Sequence, residues 1–305
     1  MERIVGVDEN GLGPRLGPLV ATAATIEVAR YEPEKLREVG DALGIGDSKR
    51  HSAFGKMKHA EGLALALATP KGGKPPTDAD GLLAALSLDG ILALRAPCPD
   101  PITARPCWET RLPLPAFGGD VDTGRALLAE LKGAGVKLRR VRTTLACAGV
   151  LNAWLASGRT KLTLDLHLFE RLILDARGAT RGPVHAICGM VGGLRRYAPH
   201  LGGLGTVSLV EEVKGASRYE VPKLGRVDFE VKSDDRHLPV GLASMVGKYV
   251  REVAMARLVG WYRAQDDSLP AASGYHDPVT RSFVEGTAAL RKKLPVADAC
   301  FERRG

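Results

Sequence analysis

Apolar positions along the chain recur with two different periods. Ile4 to Val7 and Leu19 to Ile26 are runs rich in β-branched residues and predict two strands, joined tightly through the glycines and prolines of "GLGPRLGP". Glu34 to Leu43 and Ala53 to Leu67 have helical spacing and flank a polar loop, "GIGDSKRHS", at 44 to 52. Thr69 to Val121 breaks this rhythm: it holds nine of the nineteen prolines and predicts an irregular, partly mobile insertion around a small helix at Asp80 to Leu88. Regular patterning resumes with helices at Thr123 to Ala134, Ala148 to Ala156 and Leu164 to Ala176, and strands at Lys137 to Thr144, Val184 to Cys188, Thr206 to Glu212 and Arg226 to Val231. Leu242 to Ala264 predicts a long helix with Leu242, Val246, Tyr249 and Val253 in one stripe. Ser244, Lys248 and Arg251 share its opposite face.

An apolar content of 45% over 305 residues is ample for a core, in one large domain or two. The net charge of +8 comes from lysines and arginines spread along the chain, which suits a polyanionic partner such as nucleic acid. Aromatic residues are only 5%, which disfavours a platform of stacked rings for single strands. The cysteines at 98, 107, 147, 188 and 300 include no C-x-x-C pair and have no histidine at zinc-ligand spacing, so neither a disulfide framework nor a structural zinc site is expected. No apolar stretch has the length that crosses a membrane, and a cytoplasmic location is expected.

The candidate chemistry begins at "GVDENGLGPRLGPLV", where the first strand ends in Asp8 and Glu9. A dinucleotide-binding turn would open a helix, whereas Pro14, Pro18 and the β-branched run beyond them predict another strand. The bare backbone of the glycine turn can approach a phosphate or a sugar hydroxyl. A second acidic pair, Asp234 and Asp235, follows a strand and precedes the long helix in "FEVKSDDRHLPVGLASMVGKYVRE". Each pair alone suits a solvated corner or a capped helix with a charged outer face. Together, in a basic protein, they are the oxygen ligands that a hydrated Mg²⁺ or Mn²⁺ site for phosphodiester chemistry uses.

Four segments resemble the type 2 ribonucleases H (ribonuclease HII) in family order. They are "GVDENGLGPRLGP", "GDSKR", "SDDRHLPVGLASMVGKYVRE" and "SGYHDPVTRSF", spanning residues 4 to about 290. The resemblance implies an α/β, ribonuclease H-like fold: a mixed five-stranded sheet flanked by helices, over residues 1–265 with the insertion at 69–121, and a helical C-terminal extension at 266–305. It implies cleavage of the RNA strand of RNA/DNA hybrids, or 5′ to ribonucleotides embedded in duplex DNA, with two divalent metals, Mg²⁺ or Mn²⁺. Asp8, Glu9 and Asp234 match three of four metal carboxylates. Lys49 matches a phosphate-contacting lysine, and Gly11 and Gly13 match glycines whose backbone reads the ribose 2′-OH. Tyr275 matches the tyrosine that packs on the sugar at the RNA/DNA junction. Ser244, Lys248 and Arg251 fall in the helix motif.

Two positions depart from the pattern. Leu12 stands where the family has an arginine, and "HAICGMVGG" offers Cys188 and Gly189 where the fourth carboxylate belongs. Cys188 is taken here as the replacement, a soft and poor ligand for Mg²⁺. Asp165 or Asp175 could in principle substitute, but each falls in a helix upstream and no geometric reason in the sequence favours either. Two alternatives follow: a catalytically silent relative that binds hybrids, and a protein interaction module on the same fold.

Overall fold

The computed structural model describes residues 1–46, 57–99, 104–180 and 182–304. Its strands are β1 (Glu2–Asn10), β2 (Leu19–Val28), β3 (Lys137–Ala146), β4 (Val184–Gly189), β5 (Ser208–Val213), β6 (Ala216–Val221) and β7 (Gly225–Glu230). They form one mixed sheet in the order β3-β2-β1-β4-β7-β6-β5. β1 runs antiparallel to β2 and parallel to β4, and β4 runs parallel to β7. The carboxyl ends of these three parallel neighbours therefore meet at one edge, where Asp8, Glu9 and Gly189 lie and from which the chain leaves β7 toward Asp234.

The first five strands in that order make the expected mixed sheet. The hairpin of β5 and β6 extends it to seven, because Ala216–Val221 pairs along its whole length with β7 and carries β5 with it. The polar alternation of "ASRYEV" conceals this strand from an apolar count.

The main helices are α1 (Pro33–Ala42), α2 (Lys58–Ala68), α3 (Ala79–Leu86), α4 (Val121–Gly133), α5 (Ala148–Ala156), α6 (Lys161–Gly178), α7 (Leu238–Arg263) and α8 (Pro278–Gly286). Alternation along β1 divides the core: Ile4 packs with α2, α3, α4 and α7 on one face, whereas Val5 and Val7 pack with α5 and α6 on the other. Residues 69–121 join the first of these layers through Leu82, Leu83, Leu86 and Leu114. Glu61, fully buried in α2, fixes that stretch by accepting the N–H groups of Ala116, Phe117 and Gly119 at 2.6, 2.8 and 2.7 Å and the Tyr249 hydroxyl at 3.0 Å. The stretch expected to be partly mobile is thus, where described, built into the core.

A third apolar cluster joins Leu16, Met255, Tyr262, Phe283 and Phe301. It seats the helical C-terminal region on the second half of α7 and on the glycine turn, where Arg15 and Leu16 donate backbone N–H groups to the Gly274 carbonyl at 2.8 and 3.0 Å. This packing overturns one expectation about the long helix. Two of the three positions on its polar face are covered rather than solvated: Ser244, at Asp8, and Arg251, against the glycine turn, are both 1% exposed, and Lys248 is half-buried in the cleft described below. Among the described residues, no helix is long and apolar enough to cross a membrane.

Candidate active site

β1 and α7 approach backbone to backbone. A β-carbon at Gly6 would fall 2.1 Å from the Pro239 carbonyl carbon, so only glycine lets the helix start directly on the strand. Two residues further along β1, Asp8 meets the next turns of the helix, at Ser244 and Lys248. From the other side Lys232 takes a left-handed φ of 53° and turns the chain from β7 into the one-turn helix Ser233–Arg236, which carries Asp234. The result is a cleft of about 380 Å³ lined by Asp8, Glu9, Asp234, Asp235, Ser244 and Lys248, together with Gly189 and Ser233.

Burial raises the Asp8 carboxyl to about 7, with repulsion from Asp234 adding to it, while the Ser244 hydroxyl and the Lys248 ammonium pull the other way. Glu9 is held well above the usual carboxylate range by burial and by the neighbouring charges of Asp165 and Asp8. Burial also lowers Lys248 from its ordinary value, against the attraction of Asp8 and Asp234. Carboxylates crowded out of water in this way favour a proton or a cation. Every donor is an oxygen, the set that a hard divalent cation takes. Among the described residues, no three His, Cys, Asp or Glu side chains are already gathered tightly enough to hold a metal ion.

The other expected contacts divide. Gly11 has a φ of 92° and lies against Arg251, whose Nε would be 2.8 Å from a β-carbon there. Arg251 is no free phosphate contact. Its Nη1 donates to Glu252 at 2.9 Å, its Nη2 to the Ser273 carbonyl at 3.2 Å, and its guanidinium lies 4.6 Å from the centre of the Tyr275 ring. Tyr275 is 49% exposed and so is presented to solvent rather than packed in the core. Gly13 is exposed with open space around it, and Leu12 packs against the α6 side of the core. Lys49 lies outside the described residues.

Cys188 is not the missing ligand. Val7 pairs with Cys188, so its side chain points with Val7 into the apolar layer under α6, where it is fully buried. The position facing the carboxylates is Gly189: a β-carbon there would stand 2.8 Å from Oδ1 of Asp8, 3.4 Å from Oε2 of Glu9 and 3.9 Å from Oγ of Ser233. The sequence placed the gap one residue early because only strand register separates the two faces.

The sequence reading passed over one group and set another aside. Arg303, near the end of the chain, donates from Nη1 to the Gly11 carbonyl at 2.6 Å and from Nη2 to the Leu12 carbonyl at 3.0 Å, clamping the glycine turn. No local motif marks it. Asp165 is fully buried, and neither of its carboxylate oxygens has a hydrogen-bond partner among the described residues.

No protein-family model and no curated protein matches the sequence. The ribonuclease HII of Archaeoglobus fulgidus, in a structure of its complex with PCNA, superposes with a TM-score of 0.51 at 17% identity, over 99% of this chain and 94% of that one. The fold is that of a ribonuclease HII. The ribonuclease H2 from Pyrococcus horikoshii OT3 gives a TM-score of 0.48 at 16% identity, over 98% of this chain and 92% of that one. Bst-RNase HIII in complex with Mn²⁺ gives 0.44 at 14%, over 94% and 71%. The ribonuclease HII fold accounts for the mixed sheet, for the helices on both faces and for the helical C-terminal region. The site above lies at the carboxyl ends of its parallel strands.

Proposed function

We propose that this protein is a divergent ribonuclease HII-type endoribonuclease. It cleaves the RNA strand of RNA/DNA hybrids, or 5′ to ribonucleotides embedded in duplex DNA, with two divalent cations, Mg²⁺ or Mn²⁺. The observation that carries this reading is the convergence of Asp8, Glu9 and Asp234, from distant parts of the chain, in one cleft with Lys248. The ribonuclease HII fold agrees with it. When bound, the cations would polarise the scissile phosphate and activate the attacking water.

The chain's own residues do the rest. Asp8, Glu9 and Asp234 would hold the cations. Lys248 contributes positive charge beside the phosphate. The backbone of Gly11, whose carbonyl Arg303 holds, and of Gly13 would face the ribose, and Tyr275, stacked on Arg251, would offer its exposed ring to the sugar at the junction. Lys49 is assigned a phosphate contact from the sequence motif. A silent hybrid-binding protein is the second reading, favoured by the lack of a side chain at Gly189. Cleavage of a duplex with one embedded ribonucleotide, against an all-DNA duplex of the same sequence, separates the two. Scission 5′ to the ribonucleotide supports the enzyme, and binding with no scission in either metal supports the silent protein.

A further inference from the structure

Strand β4 reaches the cleft at Gly189, and there it offers no side chain. The position adjoins the carboxylates: a β-carbon there would stand 2.8 Å from Oδ1 of Asp8 and 3.4 Å from Oε2 of Glu9, so a side chain fits once the free end of the Asp8 carboxylate swings aside. On the opposite side of β1, α6 begins at a capping box in which Thr160 and Thr163 satisfy each other's backbone N–H groups, and this fixes Asp165 in the second turn. Its sequence neighbours Leu164, Leu166, Leu168 and Phe169 are all core residues. A carboxylate at such a position would normally be satisfied within the fold.

The other acids of α6 are satisfied. Asp175 pairs with Arg140 at 3.0 Å, and Glu170 accepts the N–H groups of Gly203 and Leu204 at 2.7 and 3.3 Å. Asp165 differs: both its oxygens are buried and unpartnered among the described residues. Glu9 follows Val5 and Val7 on the side of β1 that α6 covers, which turns it toward the helix that carries Asp165, and the charges agree, with Asp8 raising Asp165 and Asp165 raising Glu9, after burial in each case. A buried carboxylate of this kind, facing other carboxylates, calls for a cation.

We propose that Asp165 supplies the fourth carboxylate of the metal centre, from helix α6, in place of the side chain that Gly189 does not provide on β4. This rests on the metal-dependent reading given above. The donor has moved from strand to helix, while the oxygen count of the site is kept.

The test is Mn²⁺ binding by calorimetry, with thermal unfolding of each metal-free protein, for wild type, Asp8→Asn, Asp165→Asn, Asp165→Leu and Asp165→Asn/Gly189→Asp. Removing a buried unpartnered charge leaves the metal-free fold as stable as wild type or more so, and leucine serves if the amide variant does not fold. The expected result is Mn²⁺ affinity about tenfold or more weaker in either Asp165 variant, and recovered when Gly189→Asp is added. Wild-type Mn²⁺ affinity in a folded Asp165 variant, with binding lost in Asp8→Asn, overturns the role of Asp165 and leaves the metal site standing. Wild-type affinity in Asp8→Asn as well overturns both.

Discussion

Gly189 lies so close to Asp8 that a β-carbon on it would stand 2.8 Å from the Asp8 Oδ1. The neighbouring Cys188 points the other way, into the layer under α6. This distinguishes two substitutions one residue apart. Cys188→Asp places a charge among apolar side chains and is expected to lower the unfolding free energy by several kcal/mol with no gain in metal affinity. Gly189→Asp places the same group among the site's oxygens and is expected to raise Mg²⁺ affinity. Denaturant unfolding and metal titration of both variants check this, and a stable, better-binding Cys188→Asp would contradict the register.

Much of this fold was legible from apolar periodicity. The boundaries of Ala148–Ala156 coincide with α5, and Leu164 to Ala176 lies inside α6, because their apolar residues face a single layer. The strand Ala216–Val221 was missed because its outward residues are polar, and the start of α7 was set one turn late because Pro239 reads as a breaker but sits in the first turn. At the site, the strand-end carboxylates Asp8 and Glu9 were legible from their place before a glycine turn. Asp165 and Arg303 were not. Their roles depend on where α6 and the chain end pack, and no local spacing encodes that.

Arg303 joins the last residues of the chain to the glycine turn through two carbonyls, and it is 6% exposed. Arg303→Ala is expected to cost about 2–3 kcal/mol of stability, since two charged hydrogen bonds to the carbonyls of the glycine turn are lost. It should also weaken affinity for a hybrid by loosening Gly11. Arg303→Lys should recover little, because an ammonium cannot span both carbonyls as a guanidinium does. Thermal unfolding and hybrid titration of the two variants measure this.

Glu230, at the end of β7, accepts from His237 Nε2 at 3.1 Å and pairs with Arg236 at 3.0 Å. The His237 hydrogen bond comes first among the causes that lower it from 4.5 to about 2, ahead of the attraction of His237, Arg236 and Arg218. A carboxyl depressed in the folded state adds stability that is fully present above the unfolded value and is lost as pH falls through the folded one. The contribution, at most about 3 kcal/mol, should therefore vanish between about pH 4.5 and pH 2. Urea midpoints across that range should fall for wild type and change less steeply for Glu230→Gln. Parallel curves would contradict the assignment.

Binding of an RNA/DNA hybrid should weaken steeply with salt. Each phosphate neutralised contributes about −0.9 to the logarithmic slope for B-form DNA, so a few contacts from Lys248, Lys49 and the surrounding basic surface should give roughly −3. An affinity indifferent to salt would point instead to the protein interaction module.

The central claim is metal-dependent cleavage at a ribonucleotide by the cleft of Asp8, Glu9 and Asp234. Its most direct measurement is single-turnover cleavage of a duplex carrying one embedded ribonucleotide, in Mg²⁺ and in Mn²⁺, by wild type and by Asp8→Asn at equal folded concentration. The account predicts scission 5′ to the ribonucleotide by wild type, none without metal, and loss of at least about a hundredfold in rate in Asp8→Asn, a drop of roughly 3 kcal/mol or more in transition-state stabilisation. Scission that persists at the wild-type rate in Asp8→Asn, or no scission by wild type in either metal, would contradict it.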